Sequence, residues 1–535
     1  MAFRFCAPRL SKWVPLALLL SSNLGFAAEW IVKFKESQYN KSVPTFKHMS
    51  GVSVLSTHDT GHLALIKVES TASKQADQLV KALQTRSDIE YIVANIKMYA
   101  FEDLAGDPQR SKQWSLLKVQ AESAWQIQRG GRKTVVAVID TGVDYTHEDL
   151  KNRIWANEKE IADNGIDDDH NGFIDDIRGW DFFKKNNNPM DETSAKNPGH
   201  GTHCAGIIGA QGDNDVGISG IAPNVSIMPI RFLGADGSGD LYTAALAIDY
   251  ATTNGADVIS ASWGAAVPRA QVKPILEAIE RAGQKNIIFV AAAANDGQSN
   301  DTREVYPANA GFKNVISVAA SNNEDQKPTW SNYGTATVDL ASPGADIFST
   351  LPGNKYGNLS GTSMATPLVA GMVALLKSQA NDQRASLQAE DYKAILQASG
   401  DNVNIETACK CRVNIFHAVQ QVVNHTLTVV PNAATLAPKA TLTFRAIGGK
   451  APYSFTSSHE EIASINPTTG VLEAKQEGEV TLTVTDAEGT HMNSRAIHVG
   501  QKTEAPAGKC PLEDPAMCAL MCTIQPQLPW CQSGG

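Results

Sequence analysis

Three short stretches each place one polar side chain where an apolar run ends or begins. "VVAVIDTGVD" closes an aliphatic run on Asp140, "GHGTHCAG" sets His200 among small residues, and "SGTSMATPLVAG" puts Ser363 ahead of a long apolar segment. A serine hydroxyl becomes a useful nucleophile only when a base takes its proton. An imidazole does this when a third group fixes its tautomer. Asp140, His200 and Ser363 supply the three types in the order Asp, His, Ser, one of the chain orders in which acyl-transfer triads occur. Each residue alone has an ordinary alternative: a carboxylate after a buried strand caps a helix, and His200 with His203 makes an H-x-x-H pair that hints at metal. No H-E-x-x-H and no G-x-S-x-G occurs, which disfavours a zinc-protease site and a nucleophile elbow. The helix after Ser363 is expected to carry Pro367 in its first turn, where a missing N–H costs nothing.

These side chains need a scaffold. Between residues 105 and 423 the apolar runs "VVAVID", "SIMPIRFL", "ADVISASWG", "NIIFVAAAAN" and "NVISVAAS" read as strands, and "LYTAALAIDYAT" and "VKPILEAIERAG" between them as helices. Alternation of this kind predicts an α/β fold with a mostly parallel sheet covered on both faces, whose functional residues gather at the carboxyl ends of the strands. Before it, 28–101 reads as a small α+β unit with strands at "EWIVKF", "HLALIKV" and "IEYIVANIKMY" and a helix at "ASKQADQLVKAL". After it, the period-two runs "LTVVP", "TLTFRAI", "PYSFTS" and "EVTLTVTD" predict a small β-sandwich over 426–499.

Together the motifs resemble the subtilisin-like serine proteases. "VIDTGVD", "HGTHCAG" and "GTSMATP" match around Asp140, His200 and Ser363, and "VAAAANDG" matches where that family carries its oxyanion-hole asparagine, here Asn295. The resemblance implies a secreted serine endopeptidase with a catalytic domain over 102–423 that hydrolyses peptide bonds through an acyl-enzyme. It implies that 28–101 is an inhibitory propeptide removed by self-processing between Tyr99 and Asp107, with Phe101 near the scissile bond. The β-sandwich resembles a bacterial immunoglobulin-like module. The substrate-binding residues so implied are Gly237, Ser238 and Gly239 at one edge, and Ser262, Trp263, Gly264 and Ala294 around the primary pocket. The family has glycine where this chain has Ala294, a methyl that narrows the pocket. Two rival functions are a non-catalytic binding protein on a protease scaffold and a processing protease with narrow targets.

Cations enter in two ways. In "NGIDDDHNGFIDD", Asp167, Asp169, Asn171 and Gly172 follow the first half of a calcium loop, with Asp175 at its ninth position. The twelfth position is Arg178 rather than glutamate, so the loop is not a complete EF-hand. The family resemblance implies a further structural Ca2+ site built from Asp149, Asn214, the carbonyls of Gly212, Val216 and Ile218, and Asp107.

Composition sets the remaining bounds. The chain has 535 residues and a formal net charge of −10, so it carries no bulk signal for nucleic acid. Arg4, Arg9 and Lys12 precede the apolar run Val14 to Leu20 and a small-residue stretch, the layout of a signal peptide over 1–27. That run is too short to span a bilayer, so the expectation is export to the extracellular space or cell surface without a membrane span. Among the eight cysteines, Cys6 falls in the signal segment and Cys204 in the histidine motif. The other six, Cys409, Cys411, Cys510, Cys518, Cys522 and Cys531, form an even set that favours disulfides in an exported chain, with 500–535 a linker and Cys-rich tail.

Overall fold

The computed structural model describes residues 29–68, 73–95 and 106–500. The expected signal segment, the processing junction around Phe101, and Cys510, Cys518, Cys522 and Cys531 lie outside the described residues. The chain divides into two compact units between Leu104 and Ala105.

The first unit is a four-stranded antiparallel sheet. Glu29–Phe34 lies between Leu63–Val68 and Ile89–Ala94, and Val52–His58 adds the fourth strand at the edge. Alternation turns Val32 and Phe34 inward with Ile89, Ile92 and Phe46, the last from the helix Tyr39–Lys47. Tyr91 and Val93, two apart on the last strand, are left exposed on one face. The Val52–His58 strand and the Tyr39–Lys47 helix carry weak sequence patterns and were not expected.

The second unit is built on a nine-stranded sheet. Its centre runs Leu340–Pro343, Val315–Ser321, Ile288–Ala292, Val258–Ala261, Val135–Asp140, Ser226–Arg231, all parallel. Two-residue strands at Trp180–Asp181, Asp401–Asn402 and Cys411–Arg412 extend the edges. They are too short to show a period. Alternation feeds two cores: Val136 and Val138 pack on one face with the Thr362–Asp382 helix, while Val135, Ala137 and Ile139 pack on the other with Leu241–Thr253 and Lys273–Gln284. Both faces are therefore covered, as near-continuous apolar strands require.

One expectation fails. The helix begins at Thr362, so Pro367 sits in its second turn and not its first. Its missing N–H would have bonded the carbonyl of Ser363, four residues back. That freed carbonyl instead accepts the Ser262 hydroxyl at 2.8 Å and the Cys204 thiol at 3.4 Å.

Short strands from Thr428–Val430 to Ile497–Val499 form the terminal β-module around Val429, Phe444, Leu472, Leu482 and Val484. It is held to the sheet domain through the helix Ala389–Ser399. Arg445 pairs with Asp391 in that helix's first turn. Arg495 donates to the carbonyls of Gln397 at 3.0 Å and Gly400 at 2.7 Å beyond its last turn, and to the Asn402 amide oxygen. The guanidinium thus meets the negative end of the helix dipole. Beside it, Cys409 and Cys411 form a disulfide. Among the described residues, no helix is long and apolar enough to cross a membrane.

Candidate active site

Asp140 is the last residue of its strand, and its carboxylate is buried. Its Oδ1 accepts two hydrogen bonds, from the Thr141 N–H at 2.8 Å and from His200 Nδ1 at 2.7 Å. An ionised acceptor on Nδ1 fixes the neutral ring as the Nδ1–H tautomer and leaves Nε2 basic. Burial alone pushes His200 down, but the Asp140 charge and hydrogen bond, with Asp191 beyond, outweigh it, so its pKa lies above the ordinary histidine value.

The helix His200–Gly209 has to come very close to the end of the Asp140 strand. A side chain at Gly201 would put its Cβ 2.1 Å from the Gly142 carbonyl, which explains the glycine of "HGTH". The backbone N–H of His200 donates to Asn197 Oδ1 at 2.8 Å. His203, three residues on, is not a partner in a metal pair. It is fully buried, its Nε2 faces the Gly357 carbonyl at 3.1 Å, and burial pushes its pKa down to about 3. Cys204 lies buried one residue further, and burial pushes its thiol well up, so it is a neutral packing group.

Ser363 is the second residue of the Thr362–Asp382 helix and is partly exposed. Its hydroxyl donates to the Ser262 carbonyl at 3.2 Å, a long bond that is cheap to exchange. Its own N–H lies in the first turn, where the helix provides no acceptor. Asn295 follows the Ile288–Ala292 strand. Its Oδ1 accepts from the Thr362 N–H at 2.8 Å and from the Thr362 hydroxyl at 3.1 Å. That hydroxyl also accepts the Ala294 N–H at 3.2 Å, and the Thr362 N–H, which can only donate, fixes Oδ1 as the acceptor. The amide orientation is thereby set, with Nδ2 left as a donor beside the mouth of the helix. Ala294 itself has φ of 92°, a conformation that favours glycine.

Of the residues expected to line the substrate cleft, Ser262 and Ala294 touch the Thr362–Ser363 segment directly. Ser262 is buried, Trp263 donates its indole N–H to the Ile139 carbonyl at 2.8 Å, and Gly264 is exposed. Gly237, Ser238 and Gly239 form an exposed turn in which the Gly234 N–H donates to the Ser238 carbonyl at 2.8 Å and the Ser238 hydroxyl bonds Asp236.

Two groups of oxygen atoms fit cations to different degrees. Asp149 and Asp107 are both buried and converge on Asn214, whose side-chain N–H reaches Asp149 at 3.0 Å and whose backbone N–H reaches Asp107 at 3.2 Å. Burial pushes Asp149 up to about 6, and the Asp107 charge adds to this. Among the described residues no hydrogen bond is made to the carbonyls of Gly212, Val216 or Ile218. Two buried acidic groups beside unbonded carbonyls are the donor set of a hard cation. In the acidic loop, Asp167 and Asp169 cluster with Glu160, a residue upstream of the motif. Asn171 donates its N–H to both aspartates, while the Asp175 carboxylate accepts the N–H groups of Asn164 and Gly165.

The sequence reading missed Asp191, Thr362 and Glu160. Asp191 and Glu160 stand in no recognisable pattern, whereas Thr362 lies inside the "GTSMATP" motif next to Ser363; the role of each becomes visible only through the atoms it bonds.

A family model described as the subtilase family matches residues 131–412, and one described as a bacterial Ig-like domain (group 2) matches 424–496. Thermitase from Thermoactinomyces vulgaris is 37% identical over 313 residues, covering 58% of this chain and 96% of thermitase. The thermophilic serine proteinase of Bacillus sp. (strain AK1) is 34% identical over 343 residues, 64% of this chain and 76% of that protein. The major intracellular serine protease of Bacillus subtilis (strain 168) is 34% identical over 282 residues, 52% and 80% respectively.

Proposed function

The chain belongs to the subtilase family and is a serine endopeptidase, and from that premise we propose that Ser363, His200 and Asp140 are its catalytic triad. The carrying observation is the buried Asp140 carboxylate 2.7 Å from His200 Nδ1, on a helix whose Cys204 thiol reaches the Ser363 carbonyl at 3.4 Å. In this reading the Ser363 hydroxyl exchanges the Ser262 carbonyl for His200 Nε2. Oγ attacks the scissile carbonyl carbon as its proton passes to Nε2, and the Asp140 charge stabilises the imidazolium. The Asn295 amide and the Ser363 N–H donate to the oxyanion. His200 then protonates the leaving amine, the peptide C–N bond breaks, and water hydrolyses the ester with His200 again as base. The 237–239 turn and the 262–264 segment hold the substrate backbone, and the side chain before the cut bond enters beside Ala294.

The same reading makes 1–27 a signal peptide, 28–101 an inhibitory propeptide, 102–423 the catalytic domain and 426–499 an immunoglobulin-like module, with 500–535 a linker and Cys-rich tail. The exposed Tyr91 and Val93 on the first unit's sheet support a propeptide, since such apolar surface calls for a partner. Asp149, Asp107, Asn214 and the carbonyls of Gly212, Val216 and Ile218 would hold a structural Ca2+. Asp167, Asp169, Asn171 and Asp175, with Glu160, would hold a second. The ion's contribution is charge compensation and crosslinking of loops. The protein acts outside the cell.

Expression of the full chain in a protease-deficient host tests this. Wild type is expected to lose residues up to a cut between Tyr99 and Asp107, and Ser363→Ala to keep them. The isolated first unit is expected to inhibit the mature enzyme. Normal processing of Ser363→Ala would remove self-maturation from the account.

A further inference from the structure

A second carboxylate is buried behind the first. Asp191 is 5% exposed and comes from an irregular loop, yet every hydrogen bond it makes runs into the active site's framework. Its Oδ1 accepts from the Thr141 hydroxyl at 2.8 Å and from Asn197 Nδ2 at 3.3 Å. Its Oδ2 accepts from the Thr202 N–H at 2.9 Å and the Thr202 hydroxyl at 2.7 Å. Thr141 follows Asp140, and Thr202 lies in the first turn of the His200 helix.

The directions of these bonds determine the charge. The Thr141 hydroxyl already accepts the Gly201 N–H at 2.9 Å, and the Thr202 hydroxyl already accepts the Asp144 N–H at 2.9 Å. Both hydroxyls also donate to Asp191, as do the Thr202 N–H and the Asn197 amide. Asp191 meets donors only, which is the environment of an ionised carboxylate. Burial raises its pKa on balance, the Thr202 and Thr141 donors pull against it, and the Asp140 charge adds a smaller push upward.

The loop is pinned on either side of it. The Val143 N–H donates to the Pro189 carbonyl at 2.9 Å. Arg231, buried and in register with Asp140, pairs with Glu192 at 3.1 Å. A Cβ at Gly142 would come within 2.8 Å of the Asp191 nitrogen, so this close crossing requires the glycine.

We propose that Asp191 is a positioning residue of the catalytic site, which ties the Asp140 strand to the His200 helix and places a second negative charge behind the imidazolium. It acts through Thr141, Thr202 and Asp140 and does not touch substrate. The other titratable groups facing His200 are Asp140, His203 and Cys204. The last two are buried and uncharged in the working range, so the two carboxylates alone bias the ring.

The proposal rests on the triad reading, and the test separates the two. Steady-state hydrolysis of a chromogenic peptide anilide by the mature enzyme is followed against pH. An inactive wild type would sink the triad reading itself. With an active wild type, Asp191→Asn is expected to lower kcat roughly ten- to a hundredfold, the size of lost hydrogen bonds to a charged group, with KM little changed. Its acid limb is expected to move to lower pH, because the imidazolium has lost a stabilising charge. Thr141→Val keeps the charge and removes one link, so it is expected to lower kcat with a much smaller movement of the limb. If Asp191→Asn does not fold, Thr141→Val still reads the link. A variant that folds with wild-type kcat and an unmoved acid limb, whatever its melting temperature, overturns the proposal.

Discussion

Ser262 and Ser363 hold each other by a reciprocal pair of hydrogen bonds. The Ser262 hydroxyl donates to the Ser363 carbonyl at 2.8 Å, and the Ser363 hydroxyl donates to the Ser262 carbonyl at 3.2 Å. The first fills the position that Pro367 leaves empty in the helix ladder. The second parks the Ser363 hydroxyl on a weak bond. The Ser363 backbone is therefore anchored from the end of the neighbouring Val258–Ala261 strand while its side chain stays free to turn.

Ser262→Ala removes the stronger acceptor contact and leaves Ser363's carbonyl with the Cys204 thiol alone. Loss of one neutral hydrogen bond is worth about 1 kcal/mol, so kcat is expected to fall roughly fivefold with KM little changed. An unchanged kcat with a raised KM would instead assign Ser262 to ground-state substrate binding.

Activity is expected to fall as pH drops through the His200 pKa, losing about tenfold per unit below it. Burial lowers that pKa, but the Asp140 charge and hydrogen bond more than reverse this, so the acid limb should lie above the ordinary histidine value. The sign for folding is opposite. A pKa raised in the folded state adds stability that is full below the unfolded value and is lost as pH rises through the folded one. A kcat/KM profile with its acid limb below the ordinary histidine value would contradict this environment for His200.

The contact between Asp140 and His200 was legible because both sit beside small residues that the close approach of helix and strand demands. Gly201 is one example, forced by the Gly142 carbonyl 2.1 Å from where its Cβ would be. The central strands were legible for a related reason: buried on both faces, Ile288–Ala292 is apolar throughout and Val135–Asp140 is apolar up to its closing aspartate. Asp191 was not legible, because in sequence it is one acidic residue in a polar loop. Its role comes from the directions of bonds to Thr141 and Thr202, which lie on two other elements. Glu160 was hidden in the same way, lying outside the motif whose aspartates it joins. Pro367 was misplaced by a turn because the helix starts at Thr362, immediately after Gly361, without a side-chain cap to announce it.

Calcium removal is expected to lower the melting temperature and hasten self-digestion, since a ligand held only by the folded state stabilises it by mass action. Asp149→Asn should abolish most of the calcium-dependent shift, because it removes a buried charge beside Asp107. Asp169→Asn, on the partly exposed loop, should reduce it less. Coincident melting curves in calcium and in EDTA would exclude a structural cation at both places.

The terminal β-module should stabilise the protease domain rather than swing freely. Arg495→Ala breaks bonds to the carbonyls of Gln397 and Gly400, a loss of about 1–3 kcal/mol. For a cooperative unit of this size that corresponds to a melting temperature lower by roughly 1–4 °C. Arg445→Ala, whose guanidinium is 41% exposed, should cost less. If Arg495→Ala melts as wild type does, the module is a separate body on a tether.

We propose Ser363, not its partner Ser262, as the nucleophile. Reaction of the mature enzyme with a fluorophosphonate, followed by peptide mass mapping, reads this directly. The account predicts one adduct per chain, on Ser363, formed faster as pH rises through the His200 pKa and absent from His200→Ala at the same reagent concentration. An adduct on Ser262, or labelling of Ser363 that His200→Ala leaves unchanged, would contradict it.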